Sequence, residues 1–342
     1  MGCAITPLIE GKTIKIEDLK GKILAVDGNN ILYQFLTTIR QRDGTPLLDK
    51  DGNITSHLNG LFSRSTSLME SGLKLIFVFD GEPPELKSAE IERRRELKKE
   101  SKIKYEEAIE KGSAEDMKKY SSRLHWLNPN MIEESKELLS ALGIPVVQAP
   151  SEGEVQAAYM VSRGDAYAVV SQDADALLSG AERVVKNLSI SGRRKKIGKL
   201  SYETVKPEII SLSENLNKLG ITHDQLIVLS ILVGTDFNIG GVKGLGPKKS
   251  LKLVKDLGTD YDSLFKSVDW NFPYPWKKVY DTIKNIPLKK DYKIEWKRIN
   301  EDKVLEILCR RHQFSEDRVR GKLKKLIDEQ KNLSQSALNK WL

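Results

Sequence analysis

The chain has 342 residues, of which 30% are charged, and its 56 Lys and Arg against 48 Asp and Glu give a formal net charge of +8. A chain of this length can bury a sizeable core in more than one lobe, and a basic balance suits a nucleic-acid partner. Cys3 and Cys309 lie at opposite ends and the four histidines form no ligand-spaced cluster, which argues against a disulfide framework and a zinc site. No apolar run approaches the roughly 20 residues of a membrane span and no signal-peptide pattern begins the chain, which predicts a soluble intracellular protein without a membrane partner.

Four apolar runs with the character of buried strands follow one another along the chain, and acidic residues end each of them. The runs are KILAVD with Asp27, LKLIFVFD with Asp80, IPVVQAPSEGE with Glu152 and Glu154, and AYAVVSQDAD with Asp173 and Asp175. Continuous apolar strands that alternate with helical patterns predict an α/β fold with a mostly parallel central sheet flanked by helices. Ligands bind beyond the carboxyl ends of such strands, so we expect these acids at one edge of the sheet.

Each acid taken alone has a structural interpretation, because an Asp after a strand is often a turn or helix-cap residue. Ser151 and Glu154 fit a capping box at the start of a helix over 152–163, in which Glu152 must sit at the helix entrance to converge with Glu154. Together, however, six carboxylates at one edge raise one another's pKa values unless cations are present. Oxygen ligands without Cys or His favour Mg²⁺ or Mn²⁺, and two ions about 4 Å apart suit phosphodiester hydrolysis.

A seventh acid, Asp236, lies in a glycine-rich segment between two predicted helices. An apolar helix from about residue 223 runs into GTDFNIGGVKGLG, and Pro247 opens a second helix that carries Lys248 and Lys249. The free backbone N–H groups at a helix start form an anion site suited to a DNA phosphate, although an ordinary helical hairpin is the alternative. The basic stretch 191–199 reads as a solvated hairpin.

Five motifs in order resemble the archaeal flap endonucleases, which belong to the XPG-like family of structure-specific 5′ nucleases. They are VDGNNILYQFL, FVFDGEPPELKSAEIERRRE, QAPSEGEVQAAY, SQDADALLSGA and GTDFNIGGVKGLGPKKSL, and the match runs over nearly the whole chain. The resemblance implies a PIN-like nuclease core, a helical arch over the active site and a helix-two-turn-helix that grips duplex DNA. The implied domains are residues 1–82 and 131–222 for the core, 83–130 for the arch, 223–258 for the helix-two-turn-helix, 259–330 for a C-terminal helical region and 331–342 for a flexible tail.

The resemblance also implies an activity, cofactors and a setting. A monomeric enzyme in the archaeal cytoplasm would remove 5′ flaps from branched DNA, with 5′–3′ exonuclease activity, in Okazaki-fragment maturation and long-patch base excision repair. It would use two Mg²⁺ ions per active site, for which Mn²⁺ can substitute, and a K⁺ ion at the helix-two-turn-helix.

Site residues follow from the resemblance by position. The first metal site would comprise Asp27, Asp80, Glu152 and Glu154, and the second Asp173, Asp175 and Asp236, with some carboxylates shared. Lys87 and Arg94, seven positions apart on one helix face, match the arch-base cations that steady the scissile phosphate. The implied DNA-binding residues are Tyr33, which would stack on an unpaired base, and Arg40, Gly234, Gly244, Gly246, Lys248 and Lys249.

The last eight residues, QSALNKWL, resemble a sliding-clamp-binding peptide. Gln335, Leu338, Trp341 and Leu342 would form one helical turn that fills a pocket of the DNA sliding clamp (PCNA), and a frayed tail is the alternative. A clamp-tethered protein that binds branched DNA without cleaving it is the second functional hypothesis. That hypothesis would be expected if the acid set were broken, whereas all seven acids are present.

Overall fold

A seven-stranded sheet lies at the centre of the protein in the computed structural model, which describes residues 5–41, 44–113, 116, 120, 127–188, 192–195 and 202–338. The sheet strands are β1 (Lys12–Thr13), β2 (Ile23–Asp27), β3 (Lys74–Phe79), β4 (Val146–Gln148), β5 (Ala168–Val170), β6 (Arg183–Lys186) and β9 (Glu208–Ser211). A separate antiparallel hairpin pairs β7 (Gly192–Lys195) with β8 (Tyr202–Val205). Strand β7 lies within the basic stretch 191–199 that was predicted to be a hairpin, and residues 191 and 196–199 of that stretch lie outside the described part.

The strand order across the sheet is β1-β9-β6-β5-β2-β3-β4. Strands β2 to β6 run parallel, whereas β9 is antiparallel to β6, and β1 is antiparallel to β9. The chain moves from β2 through β3 to β4 on one side and returns to place β5 on the other side of β2. This confirms the predicted mostly parallel sheet, and it puts a topological switch point, the usual place for a ligand, between β2 and β5.

Helices cover both faces of the sheet. They are α1 (Gly28–Thr38), α2 (Ser56–Glu70), α3 (Ser88–Glu110), α4 (Pro129–Ala141), α5 (Gly153–Ser162), α6 (Asp175–Leu178), α7 (Leu212–Leu219), α8 (His223–Val233), α9 (Pro247–Leu257), α10 (Tyr261–Lys266), α11 (Trp276–Lys284), α12 (Glu301–Leu305), which continues as the π-helical turn Glu306–Arg311, and α13 (Glu316–Leu338). Ala25 of β2 faces a core with α5, α8 and α11, while Leu24 and Val26 face a core with α1, α2 and α13. Burial on both faces explains why the strands read as continuous apolar runs.

Residues 286–300, here called the strap, have no regular secondary structure, and Trp296 and Lys297 in their later part lie at the amino-terminal end of the sheet. The strap exchanges two hydrogen bonds with the side chain of Gln156, at 2.8 and 2.9 Å, and Trp296 donates from Nε1 to the carbonyl of Leu75 at 3.0 Å. Its Lys297 N–H donates to the carbonyl of Gly143 at 3.0 Å. The strap therefore ties the C-terminal helices to the start of β3 and β4.

Two predicted helix boundaries near the C-terminal half can be compared with the structure. Helix α8 begins at His223 and Pro247 is the first residue of α9, as predicted. The segment predicted as a flexible tail from residue 331 is helical as far as Leu338, where α13 ends. The stretch from 331 to 338 contains no proline or glycine, so nothing in it interrupts the helix.

Candidate active site

The acids predicted at strand ends do lie at one edge of the sheet. Asp27 ends β2 and caps α1, Asp80 follows β3 directly, and Asp173 and Asp175 lie in the turn after β5 that opens α6. Because β2, β3 and β5 are neighbouring parallel strands, these side chains emerge side by side. The cap interpretation of Asp27 is also correct, since a cap position is what turns its carboxylate towards the switch point.

The other strand, β4, leads to Glu152 and Glu154, which converge as expected because Glu152 is the N-cap residue of α5 and lies outside its regular turns. The predicted capping box is wrong. The Ser151 hydroxyl donates to the carbonyl of Glu82 at 2.7 Å, Glu152 makes no side-chain cap bond, and Glu154 accepts a hydrogen bond from the hydroxyl of Ser171. Tertiary partners have taken the polar atoms that a local capping box would use.

Two of these carboxyl groups have strongly raised pKa values. Asp27 is 5% exposed, and its pKa is raised to about 8 by burial and then by the charges of Asp80 and Asp173, although the Asn30 N–H at 3.0 Å lowers it. The pKa of Glu154 is raised well above its ordinary value by burial and by Asp27, Asp175 and Asp173. Near neutral pH such groups either hold protons or have cations beside them.

Asp80 and Asp173 are held by neighbours that the sequence did not single out. Asp80 accepts a hydrogen bond from the Gly153 N–H at 2.6 Å, and its own N–H donates to Asn29 Oδ1 at 3.2 Å. Asp173 accepts from Asn30 Nδ2 at 3.0 Å. The pKa of Asp80 is raised because surrounding protein desolvates the carboxyl, and the Gly153 bond and Lys87 oppose that rise. The signal for Asn29 and Asn30 was their position two and three residues after Asp27 in VDGNN.

The two predicted catalytic cations reach the acids from the arch segment. Lys87, in a short 3₁₀ turn before α3, forms an ion pair with Glu152, and its Nζ lies 3.5 Å from Asp236 Oδ2. Arg94 on α3 donates from Nη2 to the same Oδ2 at 3.1 Å. Burial alone would lower the pKa of Lys87, but Glu152 and Asp236 outweigh it and hold that pKa above its ordinary value. Positive charge from the arch segment thus compensates two of the seven acids.

A small cavity of about 30 Å³ opens among Glu152, Glu154, Asp175 and Asp236, with Ile286 on its wall. In their present rotamers no three His, Cys, Asp or Glu side chains among the described residues are grouped closely enough to ligate one ion. The donor set nevertheless fits a hard divalent cation such as Mg²⁺, because it consists of carboxylate oxygens, and burial raises the pKa values of Glu152 and Glu154 within it.

The loop between α8 and α9 carries Asp236 and the predicted phosphate-binding groups. Gly241, with φ +60°, packs so tightly that an added Cβ would lie 2.4 Å from the carbonyl carbon of Val233, so only glycine fits there. Further along, Gly244 and the helix cap Gly246 are exposed, as are Lys248 and Lys249 in the first turn of α9. Gly234, which ends α8, is buried with φ +114°.

The remaining predicted contacts differ in how accessible they are. Tyr33 on α1 is 44% exposed, so it is not a core residue. Arg40 follows α1 and donates to the carbonyls of Gly44 at 2.8 Å and Thr37 at 3.2 Å, which engages it in local structure. Of the predicted clamp-binding residues, Gln335 and Leu338 belong to α13, and Trp341 and Leu342 lie outside the described residues. No helix in the described ranges is long and apolar enough to cross a membrane.

Comparison with known proteins gives full-length matches. The XPG N-terminal domain profile matches residues 4–101 and the XPG I-region profile matches residues 143–236. Flap endonuclease 1 of Pyrococcus abyssi is 49% identical over 100% of this chain and 98% of its own length. Flap endonuclease 1 of Aeropyrum pernix is 50% identical over 96% of this chain and 95% of its own length.

Solved structures agree with these matches. Flap endonuclease-1 from Methanococcus jannaschii superposes with a TM-score of 0.75 at 42% identity, covering 96% of this chain and 98% of that one. The catalytic core of Rad2 in complex with DNA substrate gives 0.68 at 23% identity, covering 96% of this chain and 100% of its own, and at that identity it supports the fold alone.

Proposed function

Because the chain belongs to the flap endonuclease 1 family, we infer that it is a structure-specific endonuclease that cuts DNA carrying a 5′ flap. We propose further that it depends on Mg²⁺, that Mn²⁺ can substitute, and that it also degrades DNA as a 5′–3′ exonuclease. In the cell this activity would serve Okazaki-fragment maturation and long-patch base excision repair, with the protein acting as a monomer.

One observation carries the proposal: seven acids and two arch cations meet at the carboxyl edge of a parallel sheet. Asp27, Asp80, Glu152, Glu154, Asp173, Asp175 and Asp236 would hold the metal. Two bound Mg²⁺ ions would supply the missing positive charge and lower the pKa of a bound water. The hydrogen bonds from Asn30, Gly153 and Ser171 hold three of the carboxylates at this edge before any ion binds.

The chain's own cations would bind the phosphate that is to be cut. Lys87 and Arg94 already lie at the acids, and a phosphodiester at this edge would offer them the same kind of oxygen as Glu152 and Asp236 do. The N-terminal turn of α9, with Lys248 and Lys249, would grip a phosphate of the adjoining duplex, and a K⁺ ion would bind near the same loop. Tyr33 is exposed and would stack on an unpaired base.

A cleavage assay tests the proposal directly. The assay incubates the unmodified protein with labelled 5′-flap, bubble or single-stranded DNA in the presence of Mg²⁺ or EDTA. Asp173→Ala is the test variant, and Asp317→Ala, at an exposed position, is its control. We expect metal-dependent cleavage that prefers the flap, a loss of about 10³-fold or more for Asp173→Ala with binding retained, and no loss for the control. Tight flap binding without cleavage by the unmodified protein would instead support the clamp-tethered branched-DNA-binding hypothesis.

We also propose that the C-terminal peptide binds the DNA sliding clamp through Gln335, Leu338, Trp341 and Leu342. The pattern, with three large apolar residues within one helical turn of the terminus, supports this proposal. Deleting residues 335–342 should abolish stimulation of flap cleavage by the clamp while leaving cleavage without the clamp unchanged. Equal stimulation of the deleted protein would contradict the proposal.

A further inference from the structure

Glu90 on α3 is a buried carboxylate in a helix whose other charged side chains are mostly exposed. Glu90 is only 2% exposed, whereas the side chain of Glu92, two positions further along α3, is 53% exposed and pairs with Arg95, whose side chain is 66% exposed. An exposed pair such as Glu92–Arg95 adds a few tenths of a kcal/mol to a helix. Burying a carboxylate is costly, so its retention at position 90 calls for strong partners.

Those partners are two guanidinium groups. Arg93 donates to Glu90 from Nε at 2.6 Å and from Nη2 at 2.8 Å, and Arg94 donates from Nε at 2.7 Å. The same Arg94 donates from Nη2 to Asp236 at 3.1 Å. Arg94 is therefore held at two points, by Glu90 on its own helix and by Asp236 in the loop after α8.

The geometry of a guanidinium gives the Glu90 contact its consequence. The group is planar and rigid, so fixing the direction of the Nε–H bond fixes where both Nη atoms point. With Nε bound to Glu90, Nη2 of Arg94 is directed at the acid cluster. If Glu90 could not accept this bond, the long Arg94 side chain, whose surface is 31% exposed, would be free to turn to solvent.

We propose that Glu90 is a positioning residue, which orients the guanidinium of Arg94 towards the phosphate that is cleaved. This inference rests on the proposed function, in which Arg94 binds that phosphate. Within the described part of the chain, the side chain of Glu90 accepts its hydrogen bonds from Arg93 and Arg94 and forms none with the seven acids. Glu90 holds the Arg94 side chain in the orientation that it needs for cleavage, so less conformational entropy is lost in the reaction. We therefore expect Glu90 to raise kcat and to leave substrate affinity unchanged.

The test is a double-mutant cycle on 5′-flap cleavage with Mg²⁺. Glu90→Gln should lower kcat about tenfold, the loss expected for one charge-assisted hydrogen bond, while KM and the flap-DNA Kd stay within about twofold. In an Arg94→Ala background the same change should have no further effect, because Glu90 acts only through Arg94. Glu92→Gln, on the same helix, is the matched control and should leave kcat unchanged.

Three results would overturn the inference: an unchanged kcat for Glu90→Gln, an equal loss of kcat in the Arg94→Ala background, or a loss explained by weaker flap binding, which would indicate a loosened helix. If Glu90→Gln unfolds, Glu90→Asp keeps the charge with a shorter reach and should show the same non-additivity with Arg94→Ala. Absence of cleavage by the unmodified protein would refute the proposed function and this inference together. If the unmodified protein cleaves flaps and one of the three results above is found, only the inference fails.

Discussion

Lys87 forms ion pairs with acids that would also bind a metal ion. Replacing Lys87 should therefore raise metal affinity and lower the rate of cleavage. Its Nζ pairs with Glu152 and lies 3.5 Å from Asp236 Oδ2. At an effective dielectric constant of 20, two unit charges at that distance interact by about 5 kcal/mol. Hydration of the separated groups offsets most of that energy, which leaves roughly 1–2 kcal/mol, or about a tenfold change in a binding constant.

Lys87→Met should therefore bind Mn²⁺ about tenfold more tightly in the absence of DNA and cleave flaps at least tenfold more slowly. Isothermal titration with MnCl₂ at fixed ionic strength measures the first effect and single-turnover cleavage the second. Lys278→Met is the control, because Lys278 pairs with the exposed Glu85 at 3.9 Å and should leave Mn²⁺ affinity unchanged. Unchanged or weaker Mn²⁺ binding by Lys87→Met would refute the reasoning that Lys87 competes with the cation.

Two further predictions concern stability. His57 is 1% exposed, and burial lowers its pKa in the folded protein to about 4. As the pH falls from 6.5 to 4, His57 therefore becomes protonated only in the unfolded chain, and the free energy of unfolding falls by up to about 3 kcal/mol. His57→Leu should flatten that dependence in urea unfolding, and parallel pH profiles would contradict the reasoning. Gly241→Ala should cost more than about 2 kcal/mol because its Cβ meets backbone, whereas Gly244→Ala, with a similar φ but open space, should cost about 1 kcal/mol. Similar unfolding midpoints for the two variants would argue against the close approach.

The sheet and the location of the acids could be predicted because each depends on local pattern. A strand buried on both faces must be apolar throughout, so the aspartates after β2, β3 and β5 stood out against it. Parallel pairing then brings every strand's carboxyl end to the same edge. Residue type and order were sufficient for this step, and no distance in the folded chain had to be known.

Contacts between distant segments could not be predicted in the same way. The link from Glu90 through Arg94 to Asp236 includes a contact between positions 142 apart, Arg94 and Asp236, and it depends on how α3 packs against the loop after α8. The capping-box error has the same origin. Ser151 and Glu154 have the right spacing, but Glu82 and Ser171 provide tertiary partners that a local pattern does not contain.

The strap shows that this protein needs more of its chain to fold than it needs to supply the candidate metal ligands. All seven candidate metal ligands lie at or before Asp236, and the family profiles that match the chain end there as well. Yet residues up to the middle of α13 are needed to complete the core, because α12 packs on α4, α13 packs on α2 and the strap binds the starts of β3 and β4. A minimal nuclease cut after α9 would keep every acid and lose the cover of the sheet's amino-terminal end. Shortening this enzyme for engineering should therefore keep α13 at least as far as the buried Leu326.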